Sequence, residues 1–535
     1  MINVFDIEAR NWNEFICAGC LSNEGFYQFT DIDSLWKHLL SIGGIWYAHV
    51  GGRYDFRFLA PYLEGTNAKC IIRNSSMLKI QIDKLILRDS YALLPYSLKK
   101  LGESFETEHR KLDIDKDNLV DSPQLREYNR NDCYTLSEAI KAFEEEVKVL
   151  KPTISSQAMM SLDSGYALKE KKVYRENKVK EEFFREGYYG GRVDVFKRYD
   201  KHIYLYDVNS MYGSVMRQPL PCSKCIEVDH FYEDRLGIYE IEWECYNDGI
   251  VPVLPMRIKG SLIFGIGKGH GIYPSPEIKL ASRMGYKIKV IKGYIWLDQQ
   301  PLLKEYVEYW YQKRQEGKSQ ALIAKLMINS LYGRFAIREV GENLRFKPPT
   351  IEAIKKGEQW RIYNEEKDIW TQEVKLKLRN VYIQLSAFIT SYARVALYQY
   401  LDKCKDSLYY CDTDSIATTR ELKTSHELGK LKLEIEGEGI FLSPKLYAIR
   451  HRDGVRIAAK GYFGKELGFE DFEEALEGNT GAISTKKILL RGIRESLKKD
   501  GDLLALLEKH RMYSGNFLKR QLMPNGIDTK PYIHV

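Results

Sequence analysis

Paired cysteine motifs, long apolar runs and a strong excess of either charge are what this 535-residue sequence lacks. Its nine cysteines are odd in number and scattered. The single C-x-x-C, Cys17-Ala18-Gly19-Cys20, has no second ligand pair at the usual spacing, which argues against zinc. Thiols distributed this way fit a reducing, cytosol-like compartment better than a disulfide framework. No stretch approaches the ~20 apolar residues of a membrane span. The first residues show no basic-then-apolar leader, and Asp6 and Glu8 come almost at once, so neither a membrane nor secretion is expected. A net charge of +7, from 81 Lys+Arg against 74 Asp+Glu, leaves room for basic channels on a mixed surface. Aromatic residues, by contrast, are plentiful: 37 Tyr, 21 Phe and 8 Trp offer flat faces for stacking as well as packing. The length allows several domains, each with its own core.

The residues most loaded with chemistry lie in Asp406-Ser407-Leu408-Tyr409-Tyr410-Cys411-Asp412-Thr413-Asp414-Ser415-Ile416-Ala417-Thr418. Apolar and β-branched residues flank a tight Asp-Thr-Asp turn, the pattern of a β-hairpin with acidic groups at its tip. Two carboxylates so close repel each other, and a divalent cation with oxygen ligands, Mg²⁺ above all, would relieve that repulsion. Alone, such a turn is commonly just solvated. Other acidic groups follow a consistent order, however. Ile2-Asn3-Val4-Phe5-Asp6-Ile7-Glu8-Ala9 alternates like a strand and puts Asp6 and Glu8 on one face. Asp55 sits where the strand Ile45–Val50 gives way to a helix, and Leu85-Ile86-Leu87-Arg88-Asp89-Ser90 is a further strand. Residues 125–143 read as a helix carrying Tyr128 and Asp132 on one face.

Asp-x-Glu, then Asp, then Tyr-x-x-x-Asp resembles the proofreading 3′→5′ exonuclease domain of DNA polymerases. Further on, Asp207-Val208-Asn209-Ser210-Met211-Tyr212-Gly213 resembles motif A of family B polymerases. Lys325-Leu326-Met327-Ile328-Asn329-Ser330-Leu331-Tyr332-Gly333 matches motif B, and the Asp412-Thr413-Asp414 turn is motif C. Tyr188-Tyr189-Gly190-Gly191 resembles the YxGG loop, Thr390-Ser391-Tyr392-Ala393-Arg394 a DNA-contacting motif, and Lys445-Leu446-Tyr447 the KxY motif. The chain thus resembles, over nearly its whole length, the protein-primed family B DNA polymerases of phi29-like phages, linear plasmids and related viruses. A reverse transcriptase would show Tyr-x-Asp-Asp instead of Tyr-Cys-Asp-Thr-Asp.

The resemblance implies an α/β and α+β multidomain fold: an RNase H-like 3′–5′ exonuclease domain over 1–150, then linker helices and the YxGG loop over 151–190. A right-hand polymerase follows, with the palm in two parts (191–300 and 379–435) around fingers over 301–335. The first palm part would include an insertion that contacts a terminal protein, and residues 336–378 an insertion for processivity and strand displacement. The latter shows two short aromatic strands about a polar turn, Trp360–Tyr363 and Ile369–Thr371. A basic, mainly helical thumb is expected over 436–535, and the palm sheet is expected to be four-stranded and antiparallel. Implied exonuclease residues are Asp6, Glu8, Asp55 and Asp132 for metal, Tyr128 for the attacking water and Lys111 for the scissile phosphate. Asp207, Val208 and Asp414 would hold the polymerase metals, two Mg²⁺ per active site with Mn²⁺ as a substitute, and Asp412 would support them. Val208, Tyr212, Lys313, Lys325, Asn329 and Tyr332 would bind the deoxynucleoside triphosphate. Tyr188, Gly190, Gly191, Thr390, Arg394, Lys445 and Tyr447 would bind template and primer. Two departures from the family pattern are Val50, where Asn ordinarily helps hold single-stranded DNA, and Gly213, where Pro ordinarily stiffens the turn. The expected protein is a monomer in the cytoplasm of a host cell, or in an organelle for a linear plasmid, using a terminal protein as primer. A DNA-primed polymerase and a catalytically inactive DNA-binding scaffold are the alternatives.

Overall fold

A computed structural model describes the chain except residues 74, 116–118, 166–167, 169, 339, 376–379, 463–466, 516–518 and 535. The N-terminal third builds around strand Asn3–Arg10, whose Val4, Phe5 and Ile7 are buried. It pairs in parallel with Gly44–Ala48, which in turn pairs in parallel with Leu85–Asp89. Helix Pro123–Val147 covers this sheet. Leu125 N donates to Ser122 Oγ at 3.2 Å, and Pro123 fills the first turn where no amide partner is needed. Leu125, Asn129, Asp132, Leu136, Ile140 and Phe143 recur at helical spacing and form its buried face.

The expected hairpin of the 336–378 segment is present, with Arg361–Asn364 paired to Ile369–Lys375; residues 339 and 376–378 of that segment lie outside the described ones. It is not a free-standing decoration. Strand Val340–Arg345 pairs with Lys69–Arg73 through Glu342↔Ile72 and Leu344↔Cys70, so the segment extends the N-terminal sheet to ten strands.

A second antiparallel sheet carries the Asp-Thr-Asp turn. Its order is Gly454–Ala459, Leu446–His451, Leu431–Ser443, Tyr199–Val208, Ser415–Thr418, Leu408–Asp412 and Val193–Val195. That makes seven strands where four were expected, because 193–195 and 446–459 extend both edges. Helix Ile383–Lys403 packs behind it, buried on most of its faces. Residues 220–300 form most of a five-stranded sheet, whose last strand is Ile533–His534. Helices Lys304–Lys313 and Lys318–Phe335 pack as a pair within 301–335.

The C-terminal region departs from its expected helical character. It holds helices Phe469–Glu477 and Ile493–Lys499, but also a hairpin of Ser484–Leu490 with Leu506–Met512. Its Lys- and Leu-rich composition favours helix only weakly, and cross-strand pairing overrides that preference. No helix among the described residues is long and apolar enough to cross a membrane.

Candidate active sites

Two groups of carboxylates stand in separate parts of the molecule. In the first, alternation along Asn3–Arg10 sends Asp6 and Glu8 from one face. Asp55 opens helix Asp55–Leu59, and Ile7 N donates to its Oδ1 at 2.9 Å, which ties that helix to the strand. Asp132 arrives from helix Pro123–Val147, one turn after Tyr128. Carboxylate oxygens of Asp6, Glu8 and Asp132 lie within 4.8 Å of one another, a spacing suited to a shared cation. Burial, and then the charge of Asp6, hold the Asp55 carboxyl well above its ordinary range. Lys111 pairs with Asp132, and its Nζ stands 4.4 Å from the centre of the Tyr128 ring. All six residues line one cleft of about 970 Å³.

Sequence reading missed Asn129, which donates to Asp6 Oδ2 at 2.9 Å and to Asp6 O at 3.1 Å. Its place inside Tyr128-Asn129-Arg130-Asn131-Asp132, one residue from the tyrosine, was the available signal. Gly19 faces Asp6 across the ladder, and a Cβ there would come within 2.4 Å of Asn129 Oδ1. The glycine of the C-x-x-C thus makes room for the asparagine, while Cys17 and Cys20 are free and buried.

The second group is built by sheet register. Asp207 lies opposite Ser415 on one side and Lys432 on the other. Val208 N donates to Asp414 O at 2.7 Å, so the ends of the two strands are locked together. Thr413 turns the tip at φ 61°, and its amide donates to Arg192 O at 2.7 Å. Burial, then the charges of Asp207 and Asp412, push the Asp414 carboxyl up to about 6. Burial raises Asp207 as well, against the opposing charge of Lys432, whose Nζ is 3.5 Å from its Oδ2. Lys432 was not singled out from sequence, although alternation along Leu431-Lys432-Leu433-Glu434 puts it on one face with its second partner, Glu434.

Asp412 faces differently. Lys445 Nζ bonds both its oxygens, Thr413 Oγ1 donates to Oδ1 at 3.0 Å and Tyr410 OH to Oδ2 at 3.4 Å. Its neighbours thus hold it in place. Tyr447, two residues after that lysine, is buried against Tyr410 with ring centres 5.2 Å apart.

Above this cluster, Tyr212 stacks on Tyr332 with ring centres 4.2 Å apart and planes 4° from parallel. Lys325 and Asn329 are exposed on helix Lys318–Phe335, and the charge of Lys325 is felt at Asp207. Lys313 is tied to Glu316 at 2.9 Å and Glu146 at 3.8 Å. Gly213 lies inside helix Met211–Met216 against Ile328, so it contributes close packing and not the looser turn its type suggested.

The Tyr188–Gly191 loop runs beside the turn. Gly190 has open space around it, whereas a Cβ on Gly191 would come within 2.7 Å of Thr413 Oγ1. Only glycine lets the two loops meet there. Arg257 donates to Glu186 O at 2.7 Å and Tyr188 O at 2.5 Å; Arg394 donates to Tyr189 O at 2.6 Å and Gly190 O at 3.0 Å. Arg394 is also bidentate to buried Glu277, at 2.8 and 2.6 Å. Thr390 and Arg394, expected to meet DNA, lie beneath this loop. Both are buried, Thr390 donating to Ala387 O at 3.2 Å, and the arginine holds the loop from beneath.

The architecture defines the class first. The fold matches that of phi29 DNA polymerase in complex with primer-template DNA and incoming nucleotide, with a TM-score of 0.76 and 20% identity, over 96% of this chain and 100% of that one. It is an RNase H-like exonuclease fold joined to a right-hand polymerase fold. Sequence narrows this further. The profile of the family described as DNA polymerase type B, organellar and viral, matches residues 40–122 and 122–426. The DNA-directed DNA polymerase of Enterobacteria phage PRD1 is 30% identical over 460 residues, 81% of this chain and 79% of that protein. A probable DNA polymerase of Podospora anserina is 30% identical over 417 residues, 65% of this chain; the chain spans 33% of that longer protein. The chain belongs to the organellar and viral type B DNA polymerases, and it is a DNA-directed DNA polymerase. Divalent metal is part of that family's chemistry, and acidic groups suited to it are present.

Proposed function

We propose that the chain extends a DNA 3′ end at the Asp207–Asp414 cluster, removes nucleotides from a frayed 3′ end at the Asp6–Asp132 cleft, and starts synthesis from a terminal protein. The observation that carries the first part is the register of the second sheet, which locks Asp207 and Asp414 together at adjoining strand ends beneath the Tyr212–Tyr332 stack. Asp207, Asp414 and the main chain at Val208 would hold two Mg²⁺, or Mn²⁺ in their place. Such ions lower the pKa of the primer hydroxyl and stabilise charge at the α-phosphate. Lys325 and Lys313 would neutralise the triphosphate, with Lys313 first leaving Glu146. Tyr212 would sit under the sugar and exclude a 2′-hydroxyl, while Asn329 and Tyr332 meet the nucleotide. Tyr188, Gly190 and Gly191 would meet the template, and Lys445 and Tyr447 the primer.

In the cleft, Asp6, Glu8, Asp55 and Asp132 would hold metal, Tyr128 would orient water and Lys111 would face the phosphate. In this reading residues 1–150 are the exonuclease domain, 151–190 the linker, 191–300 and 379–435 the palm, 301–335 the fingers and 436–535 the thumb. Residues 336–378, welded to the N-terminal sheet, would help encircle DNA for strand displacement by a monomeric enzyme in the host cytoplasm. The test supplies a primed template and, separately, a template with a candidate priming protein. Extension from both supports the extension and priming parts of the reading. Extension from the primer alone would leave a DNA-primed polymerase, and extension from neither would contradict the catalytic reading.

A further inference from the structure

Arg57 lies two residues after Asp55, on the same five-residue helix, and is 5% exposed. Its Nη1 donates to Arg491 O at 2.7 Å and to Leu503 O at 2.8 Å, more than 400 residues away in sequence. Its buried Nε has no hydrogen-bond partner among the described residues. Burial draws its pKa down to about 10. Keeping a guanidinium there is costly, since an unmet buried donor opposes folding.

The two carbonyls it grips flank the tip of the C-terminal hairpin, where Arg491 N also donates to Ala505 O at 2.8 Å. Helix Ile493–Lys499 in that tip sends Ile493 and Leu497, with nearby Leu503, into the same core as Phe58, Leu63 and Ile369. Just below the tip, Ile488 and Leu506 line the acidic cleft that contains Asp55. One short helix therefore contributes a carboxylate to the cleft and, two residues on, grips the segment whose Ile488 and Leu506 line that cleft.

We propose that Arg57 is a positioning residue for the 3′-end hydrolysis: it latches the tip of the C-terminal hairpin to the Asp55 helix and so sets the width of the cleft. This rests on reading that cleft as the exonuclease site. Arg57 touches no reacting atom, so its loss should act on substrate binding and leave the carboxylates in place. The measurements are hydrogen–deuterium exchange over residues 484–512, hydrolysis of a 5′-labelled single-stranded oligonucleotide, and single-nucleotide addition to a primed duplex. For Arg57→Met, exchange in that span and KM for the oligonucleotide should each rise about tenfold, with kcat within about threefold and addition within about twofold. Arg57→Gln, too short to reach both carbonyls, should show the same two shifts should the Met variant fail to fold. Wild-type exchange and KM in the folded variants would overturn the latch. So would an equal fall in nucleotide addition, which would mark a general structural role. Asp55→Ala separates the two ideas: if it leaves hydrolysis intact, the exonuclease reading fails, while the exchange measurement still decides the latch.

Discussion

The two acidic sites reach a similar composition by opposite routes. The central cluster takes its aspartates from neighbouring strands of one sheet, so hydrogen-bonded register fixes them to each other. The N-terminal cleft gathers Asp6, Glu8, Asp55 and Asp132 from one strand and two helices, held together by the Ile7–Asp55 and Asn129–Asp6 hydrogen bonds. Each site also keeps lysine on carboxylate: Lys111 on Asp132, Lys445 on Asp412 and Lys432 on Asp207. Each site is therefore vulnerable in a different place. The central one depends on a sheet that few single substitutions would shift, the other on tertiary contacts that single side chains supply.

The largest effect should come from removing one charge at the central cluster. Asp414→Asn is isosteric, so DNA binding should hold while nucleotide addition falls on the order of a thousandfold, the several kcal/mol expected of metal-held charge. A primer-extension time course with a parallel binding titration checks it. A smaller effect is expected at the aromatic stack. Tyr212→Val removes the ring beside Tyr332, and ribonucleotide incorporation should rise on the order of tenfold or more, as measured by competition between ribo- and deoxynucleotides.

Protonation gives a third, milder contrast. Because the folded Asp414 carboxyl is raised to about 6, its contribution to stability is full below its unfolded value and is lost as pH rises through about 6. Metal-free protein should therefore lose thermal stability between pH 5 and pH 7, and Asp414→Asn should lose less. Added Mg²⁺ should restore the wild type at pH 7 and do little at pH 5, as followed by thermal unfolding. The smallest effect concerns Val50, whose φ of 61° is costly for a β-branched residue. Val50→Asn should raise stability by about 1 kcal/mol in denaturant unfolding.

How much of this could be read from sequence follows from the same contrast. Asp412-Thr413-Asp414 and the pair Asp6 and Glu8 are local patterns, and alternation alone gives their faces. Motif order supplied the rest of both carboxylate sets. What escaped depended on partners distant in sequence. Lys432 matters only because register sets it opposite Asp207, and Asn129 only because its helix crosses Asn3–Arg10. The motif around Arg394 suggests a DNA contact and gives no sign of Glu277, its partner 117 residues earlier. Lys and Leu in 484–512 favour helix, and the pairing of its two strands, which local composition does not show, overrides that preference. The 336–378 hairpin was legible as a hairpin, but its junction with the N-terminal sheet was not.

The claim that two separate sites act on one DNA end is tested most directly by Asp6→Ala combined with Glu8→Ala. Wild type and the double variant would be given one primer-template carrying a mismatched 3′ end, with degradation and extension read from the same gel. The account predicts that the variant no longer shortens the mismatched strand yet extends a matched primer at close to the wild-type rate. Loss of both activities in a folded variant, or continued shortening, would contradict it.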